Sequence, residues 1–138
     1  MTTAHPTFDD VQVGDQLPSL EIPLDRTLIV AGAVASRDYQ DVHHDTELAR
    51  EKGSKDIIMN ILTTNGFVGR FVTDWAGPDA TIRAIRIRLG APNYPGDTMT
   101  MTGEVTDTDS DTSTVTVTVR GANSLGDHVS GTVEVGLP

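Results

Sequence analysis

The sequence predicts an α+β fold in which a highly curved antiparallel sheet wraps around one long helix. Three features carry that expectation. Between Ile57 and Trp75 the apolar residues recur at helical period; beyond Gly77-Pro78 the period drops to two in four separate segments; and clusters of turn-forming residues divide those segments. A lone long helix must bury its apolar stripe, and a sheet with one apolar face curved around it is the simplest partner.

Residues 1–19 hold Pro6, Gly14 and Pro18 around the apolar pair Val11 and Val13, an irregular entry segment expected to drape over the fold. A first strand is expected around Leu20–Leu24. From Thr27 to Arg37 the order Leu28, Ile29, Val30, Ala31, Ala33, Val34, Ala35 predicts a short buried helix with Asp25 or Thr27 as N-cap, although Gly32 lowers its helical propensity. The stretch from Asp38 to Asp56 carries nine of the chain's thirty charged residues and ends on Gly53-Ser-Lys-Asp56, which predicts a loop with one helical turn.

The long helix is expected over Ile57 to Trp75, with apolar residues at 57, 58, 61, 62, 67, 68, 71, 72 and 75 forming one inward stripe. Asp56 is its expected N-cap and Gly77-Pro78 its stop, since proline has no amide hydrogen to donate. Strands are expected around Ile85–Leu89, Met99–Val105, Val115–Val119 and Val129–Val135, four successive antiparallel segments with one buried face each. Pro95-Gly96-Asp97, Asp107–Asp111 and Asn123–Asp127 supply the reversals between them.

A chain of 138 residues fits one domain spanning 1–138, because two halves would each have a marginal core. With 37% apolar residues and only one Trp, two Tyr and three Phe, that core is aliphatic and thin, and an oligomer is expected to finish its burial. The formal charge of −10 opposes binding to nucleic acid or anionic lipid. There is no cysteine, so disulfides, a thiolate nucleophile and Cys-based zinc sites are excluded. The first residues lack a basic start and an apolar run, and no stretch approaches a membrane span, so a cytoplasmic location is expected.

The densest polar cluster is Arg37-Asp-Tyr-Gln-Asp-Val-His-His-Asp45. Three readings compete for it: a metal site, against which the divergence of adjacent His43 and His44 argues; a solvated loop whose aspartates cap helices; and an acid/base pair in which a carboxylate and an imidazole converge on one water. On an unbroken helix Asp38 and His43, five residues apart, would point about 140° away from each other. The third reading therefore requires the chain to bend between them.

Asp38-Tyr-Gln-Asp-Val-His43 resembles the hydratase-2 signature of the MaoC-like family, Asp-x-Asn-Pro-(aliphatic)-His, followed by an acidic residue, here Asp45. Phe8-Asp-Asp-Val-Gln-Val-Gly-Asp15 is similar to the family's opening, and Gly90-Ala-Pro-Asn-Tyr-Pro-Gly-Asp97 to its strand-connecting turn. The resemblance implies a hot-dog fold, an enoyl-CoA hydratase, and Asp38 and His43 as the pair that handles the water. A closer resemblance, to the small subunit of the actinobacterial steroid side-chain enoyl-CoA hydratases, rests on Arg37–Asp45, Gly53-Ser-Lys-Asp56, Asn60-Ile-Leu-Thr63 and Val72-Thr-Asp-Trp-Ala-Gly-Pro78. It implies a steroid acyl-CoA thioester as substrate and a second MaoC-like subunit as partner, commonly fused to a zinc-ribbon/OB-type acyl-CoA-binding domain, with an aldolase acting next. Coenzyme A arrives as part of the substrate, and no metal or redox cofactor is implied.

Two departures from the family pattern bear on the site. Gln40-Asp41 stands where the signature has Asn-Pro, so the bending proline is missing and Gln40 is left to orient the loop. Asn60-Ile61 stands where the family opens its long helix with His-Gly, which makes the Ile61 amide the candidate oxyanion donor and the Asn60 side chain its candidate helper. Arg83, Arg86 and Arg88 are candidates for the CoA phosphates, weighed against a role as soluble residues on a sheet edge; Lys52 and Lys55 stand likewise. Phe71 and Trp75 are expected in the core or an interface, His128 in a turn and His5 in a mobile terminus. Rival readings are a hot-dog thioesterase using Asp56 or Asp74 at the ends of the long helix, and a non-catalytic scaffold subunit.

Overall fold

A computed structural model describes residues 4–138; the first three residues of the entry segment lie outside the described part. Five strands and two helices follow the expected order, with an added short helix in the polar stretch. They are β1 (Leu20–Pro23), α1 (Arg26–Ala35), α2 (Thr46–Glu51), α3 (Ile61–Ala76), β2 (Thr81–Leu89), β3 (Thr98–Asp109), β4 (Thr114–Asn123) and β5 (Gly126–Gly136). The sheet has five strands in the order β1-β3-β4-β5-β2, antiparallel throughout.

β3, β4 and β5 form the expected meander, but β2 does not pair with β3. It lies beside β5 at the opposite edge, in register from Leu89 with Val129 to Thr81 with Gly136. The connection 90–97 makes this possible by passing around the end of the sheet, where Gly90 N donates to His128 O (2.7 Å) and Ala91 N to Asp127 O (2.8 Å). β1 and β2 thus become the two edges. Register shifts with an extra residue in β2, β3 and β5 add the local twist that curls the sheet. β3 runs on through Asp109, so the reversal falls later than expected and uses Ser113 at φ 51°.

Alternation places Met99, Met101 and Val105 of β3, Val115, Val117 and Val119 of β4, and Val129, Val133 and Val135 of β5 in one buried layer. Against it α3 packs Val68, Phe71, Val72 and Ala76. The approach is close: a Cβ on Gly103 of β3 would stand 2.8 Å from Phe71 Cε1. Trp75 is half-buried at the edge of the same core.

The long helix starts later than the periodicity suggests. Residues 57–60 are extended, with Ile58 N donating to Val42 O (2.8 Å) and Met59 N to Asn93 O (3.1 Å). Asn60, not Asp56, is the N-cap, its side chain accepting from Thr63 N. Ile57 and Met59 are buried by strand-like alternation, whereas Ile61 and Leu62 are about half exposed and lie off the inward stripe. Asp56 instead clamps the starts of two other segments: its carboxylate takes two bonds from Arg26 (2.9 Å each), one from Thr46 Oγ1 (3.0 Å) and one from Ile57 N (2.7 Å). The Arg26 guanidinium holds its carboxyl well below the usual carboxylate range.

In α1, Asp25 caps by accepting from Leu28 N at 2.7 Å. The helix is amphipathic, burying Ile29 and Ala33 and exposing Val34. Gly32 is there for packing, since any Cβ would overlap the Thr63 hydroxyl of α3.

Candidate active site

The bend between Asp38 and His43 begins at the end of α1. Arg37 N donates to Val34 O (3.1 Å) and Asp38 N to Ala33 O (2.9 Å), the two-bond helix stop that needs a left-handed residue between them. Arg37 fills that position at φ 57° without being glycine, a conformation that costs about 1–2 kcal/mol for an L residue. The chain then runs extended through Gln40 (φ −62°, ψ 139°) and closes a short 3-10 turn over Asp41–His43. The Gln40 side chain makes no capping bond, so the bend is set by backbone conformation and not by the side chain expected to replace the missing Asn-Pro. Asp45 then caps α2 through Leu48 N (3.0 Å).

This path brings Asp38 Oδ2 to 3.2 Å from His43 Nε2. His43 is 8% exposed, and its Nδ1 lies 2.7 Å from Ile58 O. A carbonyl oxygen only accepts, so Nδ1 carries the hydrogen and Nε2 is the nitrogen left facing Asp38, an acceptor whenever the ring is neutral. Two acceptors facing each other at this distance hold either one proton between them or a donor, such as water, that bridges both. The extended segment 57–60 is what makes this tautomer: a helix begun at Ile57 would have folded the Ile58 carbonyl into its own ladder.

Asn60 stands on the other side of Asp38, with Nδ2 3.2 Å from Asp38 Oδ2 and 2.8 Å from Ser36 Oγ. Both its N–H groups are therefore directed away from the position of an oxyanion helper. Ile61 is the first residue of α3 and its amide has no intrahelical carbonyl to donate to, so the helix presents a free donor and its positive end beside the pair. A groove of about 380 Å³ adjoins this point, lined by Gly32, Ala35 and Ser36 of the α1 segment and by Leu62, Thr63 and Gly66 of α3, with Phe67 and Arg70 beyond. Ser36 belongs to both groove and Asn60 network, which makes the two continuous.

The remaining candidates lie elsewhere. Arg83, Arg86 and Arg88 are exposed along β2; Arg83 donates to Thr112 O (3.4 Å) and Arg86 pairs with Glu134 (3.3 Å). Lys52 pairs with Asp41 (3.3 Å), and Lys55 sits 5.7 Å from the Tyr94 ring centre. His44 Nε2 donates to Tyr39 O (3.1 Å), away from His43. Among the described residues no group of three or more His, Asp or Glu side chains is arranged to hold a metal ion. Asp74, exposed, pairs with Arg70 at 3.4 Å on the same helix.

His5 is held at the far end of α3, with Nδ1 donating to Trp75 O (3.2 Å). His128 is a larger correction. It is not a turn residue but the third residue of β5, 2% exposed, with Nδ1 donating to Ala91 O (2.7 Å) and Nε2 accepting from Thr64 Oγ1 (2.8 Å). The β4–β5 reversal is tight, at Ser124-Leu125, so β5 begins at Gly126, and a register shift that pairs Gly121 with Val129 but Ala122 with Asp127 leaves His128 opposite no residue of β4 and turned inward beside Val129. Burial lowers the His128 pKa. Sequence reasoning missed it because the alternation from Val129 to Val135, extended back by one residue, puts position 128 on the opposite face, and only the register shift beside Val129 buries both neighbours.

Comparison with known proteins adds to this geometry. Residues 11–124 match the family described as MaoC like domain. The 3-oxo-4,17-pregnadiene-20-carboxyl-CoA hydratase beta subunit of Mycobacterium tuberculosis (strain ATCC 25618 / H37Rv) is 54% identical over 125 residues, covering 91% of this chain and 95% of that one. In the crystal structure of the ChsH1-ChsH2 complex from Mycobacterium tuberculosis, a chain 53% identical superimposes with a TM-score of 0.89, covering 92% of this chain and 98% of that one. The (R)-hydratase from A. caviae involved in PHA biosynthesis matches at 25% identity with a TM-score of 0.82, over 93% of this chain and 98% of its own. The curved sheet around α3 is the hot-dog fold of these neighbours.

Proposed function

The chain belongs to the MaoC-like domain family, and from that premise we propose that it is the catalytic subunit of a two-chain enoyl-CoA hydratase acting on a steroid side-chain acyl-CoA. The observation that carries this reading is the 3.2 Å approach of Asp38 to a His43 ring whose other nitrogen is pinned by Ile58. Asp38 Oδ2 and His43 Nε2 each accept one hydrogen of a single water, which leaves its oxygen lone pair directed at the substrate. As that oxygen bonds to the β-carbon, one water proton passes to the pair and the double-bond electrons move onto the thioester oxygen. The Ile61 amide and the positive end of α3 stabilise the negative charge there. The charge returns through the α-carbon, which takes a proton from the pair. For a 17(20)-ene-carboxyl-CoA the hydroxyl goes to C17 and the hydrogen to C20. The addition is redox-neutral and draws no step through a metal or redox cofactor; coenzyme A comes and goes with the acyl group.

The groove beside Ser36 receives part of the ring system, and a second MaoC-like subunit closes over it. Such a subunit, fused to a zinc-ribbon/OB-type acyl-CoA-binding domain, accounts for the size of a substrate that one 138-residue chain cannot enclose. The β2 arginines are offered to the CoA phosphates, Arg88 foremost because Arg83 and Arg86 already hold partners on the sheet. An aldolase that cleaves beside the new tertiary alcohol would act next.

The test is co-expression with that second subunit and mass analysis of the acyl-CoA products. Gain of one water by the 17(20)-ene thioester, dependent on both chains, is expected. Release of free coenzyme A without hydration would replace this reading with the thioesterase one, and hydration undiminished when Asp38 and His43 are both replaced would make the chain a scaffold.

A further inference from the structure

Asn60 is 2% exposed, and every hydrogen-bonding position of its side chain is assigned. Oδ1 accepts from Thr63 N (3.1 Å) and Thr63 Oγ1 (2.5 Å); Nδ2 donates to Ser36 Oγ (2.8 Å) and Asp38 Oδ2 (3.2 Å). The orientation of the amide is fixed by its partners. The Thr63 backbone can only donate, so the atom facing it is the oxygen, and the nitrogen is turned to the carboxylate. Ser36 spends its own hydrogen on Gly32 O (2.7 Å) and meets Asn60 as an acceptor.

We propose that Asn60 is the positioning residue of Asp38: the side chain that starts α3 also sets the carboxylate against His43, locking the acid/base pair and the first amide of the helix at one separation. This rests on the acid/base role proposed for Asp38. A carboxylate turns easily about its Cβ–Cγ bond, and the contact to His43 by itself leaves that rotation open. The remaining bond to Asp38, from Gln40 N to Oδ1, is long at 3.5 Å. The buried Nδ2–H supplies the missing constraint. Asp, Ser and Asn cap helices about equally well, so capping alone does not call for the amide. What asparagine adds is a donor and an acceptor on one short planar group, one for each half of the site.

Two variants separate these roles. Asn60→Asp keeps the cap acceptor and the length but turns a carboxylate toward Asp38; Asn60→Ser keeps the cap without reaching Asp38. The charged and titratable neighbours of Asp38 are His43 across the site and Arg37 before it in the chain. A carboxylate at position 60 adds negative charge to this group. In Asn60→Asp, therefore, the ¹⁵N-imidazole titration of His43 and the acid limb of the kcat/KM profile of the assembled enzyme both move to higher pH, by about one unit. Asn60→Ser folds with α3 intact and loses about tenfold or more in kcat, with a smaller change in KM. A folded Asn60→Asp with His43 titration and pH profile both unmoved, or an Asn60→Ser with wild-type kcat, overturns the assignment. The titration needs no substrate. A moved His43 titration in a protein whose wild-type assembly hydrates no enoyl-CoA leaves the coupling of Asn60 to the pair standing and removes the hydratase reading instead.

Discussion

His43 donates from Nδ1 to the carbonyl of Ile58 at 2.7 Å, and this bond decides which ring nitrogen meets Asp38. Replacing His43 with Ala, or Asp38 with Asn, is expected to lower hydration by at least about 10²-fold while the chain still folds. Asp41 and His44 are the internal controls. They are occupied by Lys52 and by Tyr39 O, so their replacement costs much less. Steady-state kinetics of the four variants decide the point, and equal losses at all four would mean that the loop needs its charge pattern and not a specific pair.

The Ile61 amide can be removed without disturbing the helix. Proline is tolerated at the first helical position, and Asn60, at φ −79° and ψ 160°, already has the conformation a following proline demands. Ile61→Pro should therefore keep Tm within a few degrees while kcat falls by about 10²–10³-fold, the scale of one lost oxyanion donor. Unchanged kcat in a folded Ile61→Pro would move the oxyanion site elsewhere.

Gly66 and Gly69 make opposite predictions. Gly66 lines the groove and a Cβ there meets nothing within 4 Å, whereas one on Gly69 would touch Ile85 Cδ1 at 3.6 Å. The assembled enzyme should prefer a steroid enoyl-CoA to crotonyl-CoA by well over the ~10–200-fold that one methylene supplies. Gly66→Leu fills the groove and should lower the steroid kcat/KM more than the crotonyl value. Gly69→Leu overpacks the contact between α3 and β2, so both should fall together with Tm. The ratio of the two kcat/KM values in each variant is the measurement.

His128 makes stability depend on pH. Burial depresses its pKa, so the fold favours the neutral ring while the unfolded chain takes up a proton below its ordinary value of 6.5. The stabilisation is whole above that pH and is lost as pH falls from there through the folded value. Thermal melts across this window should show Tm falling more steeply in the wild type than in His128→Gln, which is less stable by about 1–3 kcal/mol at neutral pH because the Thr64 hydroxyl and Ala91 carbonyl lose their partner. The carboxylates with lowered pKa, Asp10, Asp56 and Asp97, lose their contribution in a separate, more acid window. Parallel curves for wild type and His128→Gln would contradict this.

Much of the fold was written into local sequence. The two-residue alternation of Val115–Val119 and Val129–Val135 and the helical stripe ending at Gly77-Pro78 each report the period of one element, because neighbours along a chain fall on the same or opposite faces according to backbone geometry alone. The Asp38/His43 pair was legible through its signature, together with the need for a bend. What tertiary structure decided were features set between distant segments. Ile57 and Ile58 fit a helical and an extended period equally well, and only the bonds to Val42 and Asn93 make the segment extended and start α3 at Asn60. The placement of β2 beside β5, the tautomer of His43 and the burial of His128 against Thr64, 64 residues away, have the same origin. Each depends on where a buried donor or acceptor finds its partner, and that partner is chosen by the packing of the whole chain, which leaves no periodic trace in the residues around it.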